Sequence, residues 1–149
     1  MRIALVVSSY HDFVTSGLER GARETLRAGG LDDAGIVSFA VPGAFELAQA
    51  AHRLAVGGGW QGIVCLGCLI RGETPHFDYI ARATADGLMR AAQDSGVPVA
   101  FGVLTTNTAE EALARAGDGP GNKGREAAAA VLAMAGLYAR LDGGAPDHG

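Results

Sequence analysis

Apolar and polar positions fall into blocks that switch between two periods along the chain. Continuous apolar runs at residues 2–8, 35–41, 62–69 and 97–104 predict four short strands buried on both faces. Longer stretches with helical spacing separate them. Residues 15–28 set Leu18, Ala22, Thr25 and Leu26 on one helical face, and Gly29-Gly30 ends the pattern. Residues 44–56 are rich in Ala and Leu and stop at Gly57-Gly58-Gly59, and residues 77–95 predict a long helix ending at Gly96. Thr108-Ala109-Glu110-Glu111 has the spacing of a capping box and opens a short helix to Arg115. A glycine-rich hinge with Pro120 covers residues 117–121, and residues 122–141 predict the last helix. The polar, Gly/Pro-rich tail at 142–149 is expected to be disordered.

Strands that alternate with helices require a parallel sheet covered on both faces, joined by right-handed crossovers. The expected fold is an α/β flavodoxin-like three-layer sandwich, with a four-stranded sheet in the order 2-1-3-4 and one domain over residues 1–141. In an open sheet of this kind ligands bind beyond the carboxyl ends of the strands.

At 149 residues the chain is long enough to close a hydrophobic core. Its net charge of −4, without a basic stripe, argues against a nucleic-acid partner. No run approaches the roughly 18 apolar residues of a membrane span. The short apolar run 3–7 is no signal-peptide core, which makes the cytoplasm the expected compartment. The two cysteines, Cys65 and Cys68, form a C-x-x-C that could be a redox pair or half a zinc site. They lie within a strand, where residues three apart point to opposite faces, and no second pair completes a metal site. They are read as buried thiols, with no metal. Gly57-Gly58-Gly59-Trp60-Gln61-Gly62 fits G-x-G-x-x-G, but it follows a helix and opens a strand, the reverse of a dinucleotide fingerprint. It is read as a turn.

Chemistry-bearing residues gather after the strands. Ser9-Tyr10-His11-Asp12 follows the first, Pro42 to Glu46 the second, Arg71 to His76 the third, and Thr105-Thr106-Asn107 the fourth. Tyr10 could stack on a flat heterocycle or be an ordinary half-buried aromatic. His11 and Asp12 read as solvated loop. Glu46 either suits the dipole of the following helix or accepts hydrogen bonds from a ligand. Arg71 reads as an ion-pair former. The backbone donors of Glu73 and Thr74 precede a helix and could hold an anion. His76 is the candidate general acid/base, because imidazole titrates near neutrality. Arg115 suits a helix C-terminus, whereas Lys123 near a helix N-terminus points to anion binding. His52 and His148 receive no role.

Four segments in order resemble the lumazine synthase family: Val41-Pro42-Gly43-Ala44-Phe45-Glu46-Leu47; Leu66-Gly67 through Tyr79; Pro98-Val99-Ala100-Phe101-Gly102-Val103-Leu104-Thr105-Thr106; and Arg115-Ala116-Gly117 to Asn122-Lys123-Gly124. The resemblance covers about residues 2 to 140. It implies a transferase of riboflavin biosynthesis that joins 5-amino-6-(D-ribitylamino)uracil to 3,4-dihydroxy-2-butanone 4-phosphate. The product would be 6,7-dimethyl-8-ribityllumazine. It also implies no cofactor, a pentamer or multiple of pentamers, and sites between adjacent subunits. Tyr10 would then stack on the pyrimidine, and Ala44, Phe45 and Glu46 would bind the ribitylamino-uracil. Cys68, Leu69 and Ile70 would line its ring pocket. Glu73, Thr74 and Arg115 would hold the phosphate, and His76 would shuttle protons. Phe101, Arg115 and Lys123 would come from the neighbouring subunit.

The chain departs from the family's pattern in places. Tyr10-His11 stands where Phe or Trp followed by Asn is usual, and Ala48 where Pro is common. A non-catalytic carrier of riboflavin or lumazine would have no need of His76, Arg115 and Lys123 together. A flavodoxin-type electron carrier would need a phosphate loop after the first strand, and no glycine follows there until Gly17.

Overall fold

The computed structural model of the chain describes residues 1–72 and 76–143. Strands β1 (Ile3–Ser8), β2 (Ile36–Val41), β3 (Gly62–Ile70) and β4 (Val99–Thr106) form one sheet in the order β2-β1-β3-β4. Every pairing is parallel, with Ile3 opposite both Ile36 and Gly62, and Cys65 opposite Phe101. The helices are α1 (Asp12–Ala28), α2 (Leu47–Gly57), α3 (Phe77–Ser95), α4 (Ala109–Ala114) and α5 (Lys123–Asp142).

The period of 2 in the strands divides the core. Ile3, Leu5 and Val7 of β1 share one cluster with Val64 and Leu66 of β3, Leu18 of α1 and Val131 of α5. Ala4 and Val6 belong with Ile63 and Cys65 to the opposite cluster, which holds Leu47 of α2 and Leu88 of α3. Helices therefore cover both faces, and the flavodoxin-like sandwich follows from central strands β1 and β3 that are buried on both sides along almost their whole length. Each fully buried Leu, Ile or Val adds roughly 1.5–3 kcal/mol to the drive for this arrangement. Cys65 and Cys68 fall in opposite clusters, both buried, as strand alternation requires.

Several boundaries differ from the sequence reading. Helix α1 starts at Asp12 rather than Thr15, because His11 turns the chain sharply with φ 62° and ψ 46°. Strand β4 begins after Pro98 and runs through Thr105 and Thr106. Those threonines pair with Leu69 and Ile70, so they extend the ladder instead of forming a loop. Residues Ala44–Glu46 form a 3-10 turn ahead of α2. Glu111 donates its N–H to Thr108 Oγ1 at 3.1 Å, but its carboxylate accepts from Asn107 N at 3.0 Å, one residue before the cap. Asp142 is the last residue of α5, and the remaining tail beyond Gly143 lies outside the described residues. Gly57-Gly58-Gly59 does make the turn into β3, with φ of 80° and 92° at Gly58 and Gly59.

Candidate active site

The order β2-β1-β3-β4 reverses direction at β1, since β2 lies on one side and β3 on the other. A crevice opens beyond the strand ends at such a reversal. After β1, Ser9 N donates to Val41 O at 2.8 Å and Tyr10 N to Pro42 O at 3.1 Å, which pins this loop to the end of β2. His11 then redirects the chain, and its carbonyl accepts from Val14 N and Thr15 N to start α1. The His11 ring lies 4.3 Å from the Tyr10 ring, tilted by 53°, and 5.7 Å from the Phe13 ring at 89°. Tyr10 is 53% exposed, so the ring presents surface outward.

The turn after β2 supplies the facing wall. Glu46 N donates to Gly43 O at 3.2 Å and closes the 3-10 turn. Ala44 is buried, and its carbonyl accepts from Thr84 Oγ1 of α3 at 3.3 Å. Phe45 remains 54% exposed. Glu46 occupies the N-cap of α2 but makes no side-chain capping hydrogen bond. Its position therefore suits the dipole while its oxygens are not committed to the helix end.

These two loops, Leu69 and Ile70 at the end of β3, and Phe77 and Ile80 of α3 enclose a cavity of about 180 Å³. Its described side chains are mainly apolar, with Tyr10, His11 and Glu46 as the polar contributors. Such a lining suits a flat heterocycle carrying a few polar groups. Arg71 frames this end of the sheet. Its Nε donates to Asn107 Oδ1 at 3.2 Å, a terminal nitrogen lies 3.4 Å from Asp78, and the guanidinium sits 4.5 Å from the centre of the Phe77 ring. This is the ion-pairing role read from the sequence.

The structure thus gathers Tyr10, Ala44, Phe45, Glu46, Leu69 and Ile70 around one cavity. Cys68 differs from expectation: its side chain is 1% exposed and packs in the α1/α5 core, so it does not line the cavity. Leu69 points to the opposite side of β3, and Ile70, on the same side as Cys68, reaches the cavity because it is the last residue of the strand. His76 is exposed at the N-cap of α3, immediately before Phe77. Glu73 and Thr74 lie outside the described residues. Phe101 is 38% exposed on the edge strand β4, away from this cavity.

Arg115 and Lys123 form a separate cluster. Arg115 Nε donates to Gly121 O at 3.0 Å, and its guanidinium lies 3.5 Å from Glu126 Oε2. Lys123 Nζ lies 3.3 Å from Glu126 Oε1, so one carboxylate serves both cations. The placement of Lys123 at a helix N-terminus is thereby satisfied within the chain. Among the described residues, no three His, Cys, Asp or Glu side chains are grouped to hold a metal ion.

Sequence reasoning set His11 aside as solvated loop. Its role in the cavity wall comes from a left-handed backbone turn, which nothing in the local pattern of residues announces.

Residues 1–139 match the family profile described as 6,7-dimethyl-8-ribityllumazine synthase. The chain belongs to the lumazine synthase family. Relatives carrying that description include a protein of Chlorobium phaeobacteroides, 47% identical over 137 residues that cover 92% of this chain and 88% of the relative. A Syntrophus aciditrophicus protein is 43% identical over 141 residues, covering 95% and 92% of the two chains. A Salinibacter ruber protein is 46% identical over 142 residues, covering 95% and 91%. This lumazine synthase family member is an enzyme, a transferase of riboflavin biosynthesis, and it has the family's flavodoxin-like fold. Among its described residues, no helix is long and apolar enough to cross a membrane.

Proposed function

We propose that this chain condenses 5-amino-6-(D-ribitylamino)uracil with 3,4-dihydroxy-2-butanone 4-phosphate to give 6,7-dimethyl-8-ribityllumazine, phosphate and water, the penultimate step of riboflavin biosynthesis. The observation that carries this reading is the cavity at the β1/β3 reversal, walled by exposed Tyr10 and Phe45 and by the uncommitted Glu46 carboxylate. The Tyr10 ring stacks on the pyrimidine, Leu69 and Ile70 pack against it, and Glu46 accepts hydrogen bonds from the ribityl hydroxyls. The carboxylate has acceptors only, which matches hydroxyl donors.

The amine of the pyrimidine is itself the nucleophile, so the enzyme need not supply one. Holding the two reactants in contact removes much of the entropic barrier. His76 moves protons during imine formation and phosphate elimination. The backbone of Glu73 and Thr74 and the Arg115 guanidinium hold the phosphate, first as a substrate anchor and then as the leaving group. No metal or organic cofactor takes part.

Phe101, Arg115 and Lys123 lie away from the chain's own cavity, which supports a site completed by a second copy. In this reading the chain, one domain over residues 1–141, works in the cytoplasm as a pentamer or multiple of pentamers. The test mixes purified protein with both substrates and follows lumazine absorbance and phosphate release together. Equal yields above the uncatalysed background are expected. Tight ligand binding without acceleration would replace this reading with a lumazine or riboflavin carrier.

A further inference from the structure

Arg71 makes more contacts than fold stability explains. Its side chain is 56% exposed, and an ion pair at such a surface contributes little to stability. Yet the guanidinium meets three groups at once. Its Nε donates to Asn107 Oδ1, just beyond the end of β4, at 3.2 Å. A terminal nitrogen lies 3.4 Å from Asp78 Oδ1, and the central carbon sits over the Phe77 ring, 4.5 Å from its centroid.

What the three contacts share is the junction between β3 and α3. Gly72 turns the chain at the strand end with φ 89°, which glycine holds without strain, but it brings no side chain to fix the direction. Arg71 supplies that hold. Its backbone N–H donates to Thr106 O at 2.7 Å, and Asn107 is itself fixed by donating its N–H to Glu111 Oε2 at 3.0 Å. From this anchored base the guanidinium reaches forward to the first turn of α3. Phe77 of that turn lines the cavity, and His76 stands at its N-cap, with its carbonyl accepting from Ile80 N at 2.9 Å. A planar fork can stack on a ring and donate sideways at the same time, which an ammonium cannot.

We propose that Arg71 is a positioning residue for the reaction: it clamps the first turn of α3 to the ends of β3 and β4 and thereby fixes His76 and Phe77 relative to the bound substrates. The assignment rests on the proton role proposed above for His76.

Arg71→Ala, Arg71→Lys, His76→Ala and the Arg71→Ala/His76→Ala double variant test this, read by kcat, KM for each substrate, melting temperature and hydrogen exchange at the Ile80 amide. In Arg71→Ala the melting temperature falls by no more than about 4 °C, as loss of an exposed ion pair implies. Exchange at Ile80 N rises at least about ten-fold, because the first turn of α3 opens locally without global unfolding. With both substrates saturating, kcat falls about ten-fold from misplacement of the proton carrier, while both KM values hold within about three-fold. Arg71→Lys keeps the charge facing Asp78 without the fork, and recovers neither kcat nor exchange protection. In the His76→Ala background Arg71→Ala costs no further kcat, since the group it positions is gone. Unchanged exchange at Ile80, wild-type kcat in either Arg71 variant, or losses that multiply in the double variant overturn the assignment. A raised KM for the butanone phosphate at unchanged kcat also overturns it, in favour of direct phosphate contact. Wild-type kcat in His76→Ala would retract the proton role itself, while exchange at Ile80 would still decide whether Arg71 holds the turn.

Discussion

Asn122 Nδ2 donates a 3.0 Å hydrogen bond to the carbonyl of Gly17, a residue 105 positions earlier in the chain. The same amide donates to Gly117 O at 2.8 Å, and its oxygen caps α5 by accepting from Arg125 N at 3.1 Å. One side chain, 2% exposed, thus ties α1, the glycine-rich hinge and α5 together. The backbones are close enough that a Cβ at Gly124 would lie 2.0 Å from Leu18 O. Asn122→Ala leaves two carbonyls short of a donor and one helix uncapped. A loss of about 3 kcal/mol is expected, from a buried unsatisfied group together with a lost cap. A urea midpoint that moves down at unchanged slope would show it; an unmoved midpoint would deny Asn122 its tying role.

The hinge that Asn122 anchors carries Arg115. Lys123 N donates to Arg115 O at 2.8 Å, and Gly121 O receives Arg115 Nε, so the guanidinium is held before any ligand arrives. Arg115→Ala should raise KM for the butanone phosphate at least ten-fold, because a hydrogen bond to a charged group contributes about 1.5–3 kcal/mol. Pyrimidine affinity should not change. An unchanged requirement for the phosphate substrate would remove Arg115 from the phosphate site.

The sheet order was readable from the sequence because its strands are continuous apolar runs separated by helices with caps and glycine stops. Gly96 ends α3 in the left-handed conformation, and Thr108 and Asn122 cap α4 and α5 with their side chains, all local signals. The cavity was legible to the extent that it depends on strand ends. Tyr10, Phe45, Glu46 and Leu69 meet because parallel strands put their following residues on one rim. What was not legible depends on torsions and register. The left-handed turn at His11 has no sequence marker beyond a residue type that tolerates it. The two-residue extension of β4 follows from pairing with β3, which a single strand's pattern cannot report. Cys68 was grouped with its neighbours Leu69 and Ile70, although it lies deeper in β3 and packs into the α1/α5 layer, while Ile70 ends the strand.

His76 stands exposed at the start of α3, next to Phe77 in the cavity wall. If it moves protons for the bound pair, His76→Ala lowers kcat about 100-fold, the lower end of typical general acid/base contributions. Pyrimidine binding stays near the wild-type level, because stacking and the Glu46 contacts remain. Single-turnover rates measured with both substrates saturating isolate the chemical step. Comparable rates in mutant and wild type would refute the proton role.

The thiol of Cys65 gives a pH signature unconnected with the reaction. Burial pushes its pKa well above the ordinary 9.0, because the thiolate would lie in an apolar layer. Below pH 9 the thiol is protonated in both folded and unfolded chains, and it contributes nothing to the pH dependence of stability. Above that value the unfolded chain releases the proton while the folded chain keeps it, so the unfolded state is favoured as pH rises. The slope approaches about 1.4 kcal/mol per pH unit for one such group. Cys65→Ala abolishes that component. It also opens a small void in the α2/α3 layer, which lowers stability by a constant amount at every pH. Unfolding midpoints of both proteins at pH 7 and pH 10 separate the two effects. The gap between wild type and Cys65→Ala should narrow at pH 10 by about 1 kcal/mol. Parallel lines across that range would mean that the Cys65 thiol ionises as readily in the folded chain as in the unfolded one.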